Sequence, residues 1–543
     1  MQNVLVTNAF AEPSLEPVKR GSAILFGRLH FDGVHPRLER GVTERARNQK
    51  VDLHALLPRL EAGLRVEEEA IPFGNERLRD CILHEHALVY ADVIDEKRTV
   101  CPLRDAARVG KGMRDEIPAG AKAIIDPDVY YPSHVATDFY HHWEEDLELM
   151  AEMGCNVNRI SINWTRIFPN GDDAEPNEEG VQFYINVFRK CQELGIEPLV
   201  TIYHFDCPLR LANEYDGWVS RHTLEAFERY CDVLFTRFKG LVHYWLTINE
   251  ININTNFMMN GVHEHLSNKQ NAEQCRYHLF LGSAYAVKKG HEVDPENKIG
   301  LMIAHGGSYP WSCDPEDVWA ELDTAHHFKW FYGDVQVRGY YPAWKVLELE
   351  REGIELDKEP GDDELLREGT VDFYSFSYYS TDVCAAHPEE HGATDGNMHR
   401  SIANPHLEQT EWGWTIDPLG LRISLNQIWD RYQIPVMIVE NGFGAIDVRE
   451  EDGSVHDQGR IDYMRTHIKV MKDTVEIDGV DLMGYTPWGW IDVVSAGTGE
   501  MRKRYGFVYV DMDDDGNGDL SRSRKDSFYY MQKVYKSNGE DLD

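Results

Sequence analysis

After residue 138 the hydrophobic positions along the chain keep switching period. Apolar residues at i, i+3 and i+4 mark a helix over His141–Met153, and an unbroken apolar run then predicts a strand over Val157–Ile162. The pairing recurs: helix Val181–Leu194 before strand Pro198–Tyr203, Leu224–Phe238 before Val242–Ile248, Arg276–Val293 before Ile299–Ala304, Trp319–Val337 before Val371–Tyr379, Leu419–Tyr432 before Val436–Val439, and Ile461–Val475 before Leu482–Trp488. A last amphipathic helix, Lys525–Lys536, follows. Short apolar strands separated by helices form a parallel sheet covered on both faces. Seven such strands and an eighth upstream predict an α/β fold, the (β/α)8 or TIM barrel, with the first strand as the open question. An open doubly wound sheet would carry a Gly-rich phosphate turn after its first strand, and none is present.

Charge changes this picture at one place. The 543 residues carry 55 Lys+Arg against 93 Asp+Glu, a net −38. Residues 1–120 hold only −1 of this, and residues 121–543 the other −37. The chain therefore reads as two units: 1–120, an atypical N-terminal segment, and 121–543, the barrel. So acidic a surface excludes nucleic acid and anionic membranes as partners. No apolar run approaches the ~20 residues of a membrane span. Nine cysteines, none in a Cys-x-x-Cys pair, argue against a disulfide framework or a structural zinc site and for a reducing, cytoplasmic location. A homo-oligomer stays open.

In a parallel barrel the chemistry sits at the C-terminal ends of the strands. Those ends carry Arg159, His204, Asn249-Glu250, Tyr378-Tyr379, Glu440-Asn441-Gly442 and Trp488. Glu250 and Glu440 each follow an otherwise apolar run. One such carboxylate is an ordinary loop residue. Two across one barrel mouth, among polar and aromatic side chains, are what glycoside hydrolysis needs: one protonates the leaving oxygen while the other attacks the anomeric carbon. Two further patterns carry no chemistry. Asp511-x-Asp513-x-Asp515-Gly516 lacks the twelfth-position Glu of a calcium loop, where Arg522 stands, and reads as a polar turn. His84-Glu85-His86 and His263-Glu264-His265 lack the i, i+4 spacing of zinc-protease histidines.

Thr247-Ile248-Asn249-Glu250, Ile438-Val439-Glu440-Asn441-Gly442 and Arg159-Ile160-Ser161-Ile162-Asn163-Trp164 resemble the acid/base, nucleophile and second-strand motifs of family 1 glycoside hydrolases. The likeness runs from about residue 121 to the C-terminus. It implies a retaining mechanism that needs no metal or cofactor, with Glu440 as nucleophile and Glu250 as acid/base. It also implies that Asn249 and His204 bind glycone hydroxyls, that Arg159 and Tyr378 hold Glu440 ionised, and that Trp488 floors the sugar site.

The last motif narrows the resemblance to the 6-phospho-β-glucosidase branch. Plain β-glucosidases carry a Glu seven residues after the Trp that matches Trp488, and here Ser495 stands there. A carboxylate would repel a 6-phosphate; Ser495, Lys503 and Tyr505 can bind one. Ala496 replaces the bulky Trp of the phospho-galactosidases, which favours a small-molecule phosphorylated β-glucoside as substrate. Family members also carry a Gly- and Ala-rich first strand with a sugar-binding Gln, and residues 1–120 show no such motif. Ser22–Phe31 and Ile82–Ile94 compete for that strand. The family's spacing of about fifty residues before the first helix favours Ile82–Ile94. The alternatives left open are a 6-phospho-β-galactosidase, an unphosphorylated β-glucosidase, and a phospho-sugar-binding relative inactivated by its altered N-terminal segment.

Overall fold

The computed structural model describes residues 82–85, 117, 119, 120, 122, 123 and 130–543, apart from 254, 255, 395–400, 496 and 497. Eight parallel strands form one curled sheet: β1 (Ile82–Glu85), β2 (Val157–Ser161), β3 (Glu197–Tyr203), β4 (Tyr244–Ile248), β5 (Lys298–Ala304), β7 (Phe373–Ser377), β9 (Val436–Glu440) and β10 (Leu482–Tyr485), in that order. β6 (Gly307–Pro310) and β8 (Thr381–Cys384) pair in a small parallel sheet of their own, which the sequence pattern did not announce. β1 pairs with β2, Ile82 opposite Val157 and Glu85 opposite Ile160, and also comes close to β10, so the sheet curves round into a barrel. Residues 86–94 of the expected first strand, and Ser22–Phe31, lie outside the described residues.

Helices α1 (Phe139–Met153), α2 (Glu178–Leu194), α3 (Arg221–Arg237) and α4 (Lys269–Val293) surround the first half of the barrel. α5 (Pro315–Ala325), a π-helical turn (His326–Trp330) and α6 (Phe331–Arg338) run on continuously where one helix, Trp319–Val337, was expected. α7 (Pro418–Tyr432), α8 (Gln458–Glu476) and α9 (Asp526–Lys536) complete the ring. Side chains of Asn177, Ser220, Asn268, Asp314 and Asp417 accept N–H bonds at helix starts, which supplies partners for otherwise orphaned donors. Among the described residues, no helix is long and apolar enough to cross a membrane.

Strand periodicity divides the core. Val157, Leu199, Tyr244, Leu246, Met302, Phe373, Met437 and Val439 pack together inside the barrel. Their chain neighbours Val200, Trp245, Leu301, Ile303, Tyr374 and Ile438 face the helices. Gly300 faces inward, and a Cβ there would lie 2.4 Å from the Phe373 ring, so its missing side chain gives Phe373 its place. β11 (Val508–Val510) and β12 (Arg522–Arg524) form an antiparallel hairpin. Asp513 closes its polar turn by accepting from the Asp515 and Asn517 N–H groups, as expected of that segment.

Candidate active site

Arg159 projects from β2 and is completely buried. Its guanidinium donates to Glu440 Oε1 (2.6 Å), Asn249 Oδ1 (2.5 Å), Thr201 Oγ1 (3.2 Å) and the Val439 carbonyl (3.2 Å). One rigid fork thus ties β2 to β3, β4 and β9. Burying a cation and a carboxylate is costly unless both are paired and hydrogen-bonded, and here both are.

Glu440 reaches this position through an irregularity in its strand. Phe376 lies opposite Ile438 and Ser377 opposite Glu440, so Val439 is an extra residue in β9. Without the bulge, strict alternation would turn Glu440 toward the helices with Ile438. With it, Glu440 faces the same side as Ser377. Glu440 Oε2 accepts from the Tyr379 hydroxyl at 3.0 Å. Asn441 braces the adjoining backbone, donating to the Tyr378 carbonyl (2.6 Å) and the Tyr463 hydroxyl (2.8 Å) while accepting from Tyr485 (2.9 Å).

The expectation for Tyr378 is corrected here. Its hydroxyl donates to the Asp417 carbonyl at 2.6 Å, away from Glu440, and only its backbone N–H touches that residue, through the Glu440 carbonyl. Tyr379 is the tyrosine that bonds the carboxylate. The signal was present in the sequence: residues 373, 375, 377 and 379 share a strand face, and Phe373 points into the barrel while Tyr374 and Phe376 point out.

Glu250 follows β4 on a backbone with φ of 39°. That left-handed geometry costs a non-glycine residue roughly 1–3 kcal/mol. Its carboxylate accepts from Ser377 Oγ at 2.5 Å. Asn252, in the 3₁₀ turn after it, donates to the Ala304 and Phe328 carbonyls and accepts from the Ala304 N–H, pinning the turn to β5 and the π-helical segment. Ser377, Tyr379 and Asn252 are site residues that the sequence reading missed. The two carboxylates live differently. Burial first, and the nearby Glu440 charge second, push Glu250 up to about 8 against the smaller opposing effects of Ser377 and Arg159.

The remaining expected residues converge on an aromatic floor. His204, at the end of β3, is buried, and its ring centre lies 6.4 Å from that of Trp488. Trp488 meets Tyr379 and Tyr505 edge to face, also at 6.4 Å. Gly444 lets the next loop approach: a Cβ there would sit 3.0 Å from the Tyr505 ring and 3.2 Å from Lys503 Cε.

In that loop three consecutive cations have three fates. Arg502 is exposed and pairs with Glu500 and Asp514. Arg504 turns inward to Asp492 at 2.7 Å, joining a buried network in which Lys525 bridges Asp447 and Asp492, and Arg460 pairs with Asp447 and Asp457. Lys503 is 1% exposed, and its ammonium has no hydrogen-bond partner among the described residues. Ser495 stands buried at the neck of the loop, its carbonyl accepting from the Thr498 and Gly499 N–H groups. Ala496 lies outside the described residues.

The chain is similar to known proteins along most of its length. The model of glycosyl hydrolase family 1 matches residues 115–540. The chain is 50% identical over 420 residues to 6-phospho-beta-glucosidase AscB of Escherichia coli (strain K12), covering 77% of this chain and 88% of that one. It is 46% identical over 452 residues to aryl-phospho-beta-D-glucosidase BglA of Bacillus subtilis (strain 168), covering 80% and 94%. Among solved structures, the family 1 b-glucosidase from Thermotoga maritima superimposes with a TM-score of 0.69 at 28% identity, covering 85% of this chain and 98% of that one.

Proposed function

Because the chain belongs to glycosyl hydrolase family 1, we propose that it hydrolyses 6-phospho-β-glucosides to glucose 6-phosphate and an alcohol, with retention at the anomeric carbon. Glu440 is the nucleophile: Arg159 and Tyr379 stabilise its charge and aim it. Glu250 is the acid/base, since burial and the Glu440 charge keep its proton in place at neutral pH. Attack by Glu440 on the anomeric carbon breaks the glycosidic bond as Glu250 protonates the departing oxygen, leaving a glycosyl ester on Glu440. Esterification removes the Glu440 charge, one of the two causes that raise Glu250. The Glu250 carboxylate then accepts a proton from water, which displaces the sugar.

Asn249 and His204 hold glycone hydroxyls above Trp488, and Ser495, Lys503 and Tyr505 hold the 6-phosphate. The observation that carries the phosphate reading is the buried Lys503 ammonium without a hydrogen-bond partner among the described residues. A chain with no anion to receive there has little reason to retain such a group. The same reading divides the chain near residue 120. The barrel follows, and the atypical segment before it contributes its first strand through Ile82–Glu85, a division supported by the start of the family match at residue 115.

The test is turnover of an aryl β-glucoside 6-phosphate by the full chain, with product stereochemistry followed by NMR. Release of β-configured glucose 6-phosphate is expected. Faster turnover of the galactoside 6-phosphate would make it a phospho-β-galactosidase, and equal turnover of the unphosphorylated glucoside a plain β-glucosidase. Tight binding without hydrolysis would make it a phospho-sugar-binding relative.

A further inference from the structure

The Lys503 ammonium is enclosed by rings rather than acids. Its Nζ lies 4.1 Å from the centre of the Trp414 ring, 5.1 Å from Trp412 and 5.7 Å from Tyr505. Glu500, the carboxylate that acts on it electrostatically, is bonded by Arg502 at 2.5 Å. Burial draws Lys503 down to about 8 despite the Glu500 charge, and the rings beside it carry no net charge. They do something a carboxylate would not. A π face attracts the cation without neutralising it and without occupying its N–H donors.

The enclosing residues come from a different part of the barrel. Trp412 and Trp414 lie between β8 and α7, whereas Lys503 lies beyond β10. Trp414 also meets Tyr379 edge to face at 5.4 Å, so this wall adjoins the tyrosine that bonds Glu440.

We propose that Trp412 and Trp414 are positioning residues for substrate discrimination: they form an aromatic cage that fixes the Lys503 ammonium, charged and with its donors free, where a substrate's 6-phosphate arrives. This rests on the phosphate reading above. The cage keeps the loop cation from folding onto Glu500, and it supplies a binding charge that needs no displacement of an internal partner.

The test uses the full chain, kcat and KM for one aryl β-glucoside with and without a 6-phosphate, and the ratio of the two specificity constants. Trp412→Leu is expected to lower that ratio about tenfold, mainly through KM of the phosphorylated substrate, and Trp412→Phe to keep most of it. The double variant Trp412→Leu with Lys503→Ala should show the ratio of Lys503→Ala alone, because the cage acts only through that lysine. Where leucine disturbs folding, Trp412→Gln removes the π face at similar bulk and gives the same comparison. If Lys503→Ala lowers the ratio but Trp412→Leu does not, or if the two losses multiply in the double variant, the cage is refuted while the phosphate reading stands. If Lys503→Ala leaves the ratio unchanged, the phosphate reading fails and the cage with it.

Discussion

At the barrel centre, the Arg159 guanidinium directs its donors at Glu440, Asn249, Thr201 and the Val439 carbonyl. In the 495–505 loop, the Lys503 ammonium, equally removed from water, meets ring faces and has no hydrogen-bond partner among the described residues. Both are buried cations, but one is saturated by the protein and the other is not. The saturated charge has a fixed task, holding the Glu440 carboxylate in place between β2 and β9. On the proposed reading the unsaturated one keeps its donors for a ligand, whose binding offsets its desolvation. Buried charge without a partner is therefore informative about substrate in a way that a complete ion-pair network is not.

The sharpest way to break this comparison is to remove the carboxylate at the centre. Glu440→Gln should lower kcat by about 10⁴-fold or more with phosphorylated and unphosphorylated glucosides alike, because no glycosyl ester can form. Retained activity on either substrate would place the nucleophile elsewhere. Lys503→Ala comes next, and its effect should be one-sided. KM for the phosphorylated substrate rises about ten- to hundredfold, the worth of one charge-assisted contact, while the unphosphorylated substrate is barely affected.

A smaller effect separates the adjacent tyrosines. Tyr379→Phe should cost about tenfold in kcat by removing a donor to Glu440, whereas Tyr378→Phe should leave kcat near the parent value and lower Tm, since its hydroxyl serves the Asp417 carbonyl. The reverse pattern would contradict the geometry.

The smallest expected effect concerns pH. Activity needs protonated Glu250, so kcat/KM for the unphosphorylated substrate should fall above an apparent pKa of about 8, and Glu250→Gln should lower kcat/KM least with a nitrophenolate leaving group. Glu250 binds its proton more tightly in the folded chain than its ordinary value of 4.5. Stability therefore declines as pH rises from about 4.5 to about 8. Glu250→Gln removes that cost, so its Tm should exceed the parent's by a few degrees at pH 7.5 and match it at pH 4.5, as thermal unfolding at the two pH values would read.

Much of this was legible in the residues. Helix and strand periods are local properties, so the seven alternations from His141 onward and the strand ends carrying Glu250 and Glu440 could be read directly. Tyr379 was missed because adjacent identical residues look alike until the face of Phe373 is used to set the parity. The Val439 bulge could not be read, since it exists only in the register between β7 and β9. Nor could the π-helical turn, whose Phe328 carbonyl is taken by Asn252 from another strand's loop. The Arg502-Lys503-Arg504 run showed a concentration of charge, but only tertiary packing separates a surface ion pair, a caged amine and a buried ion pair within three residues.

The most direct measurement is mechanism-based labelling of the full chain with an aryl 2-deoxy-2-fluoro-β-glucoside 6-phosphate, read by mass spectrometry of the peptides. Fluorine at C2 slows both formation and breakdown of the glycosyl ester, while a good leaving group keeps its formation fast, so the intermediate accumulates. The account predicts one fluoroglucosyl phosphate adduct, on Glu440, formed far faster than with the unphosphorylated analogue and absent from Glu440→Gln. An adduct on another residue, equal labelling by the unphosphorylated analogue, or no adduct at all would contradict it.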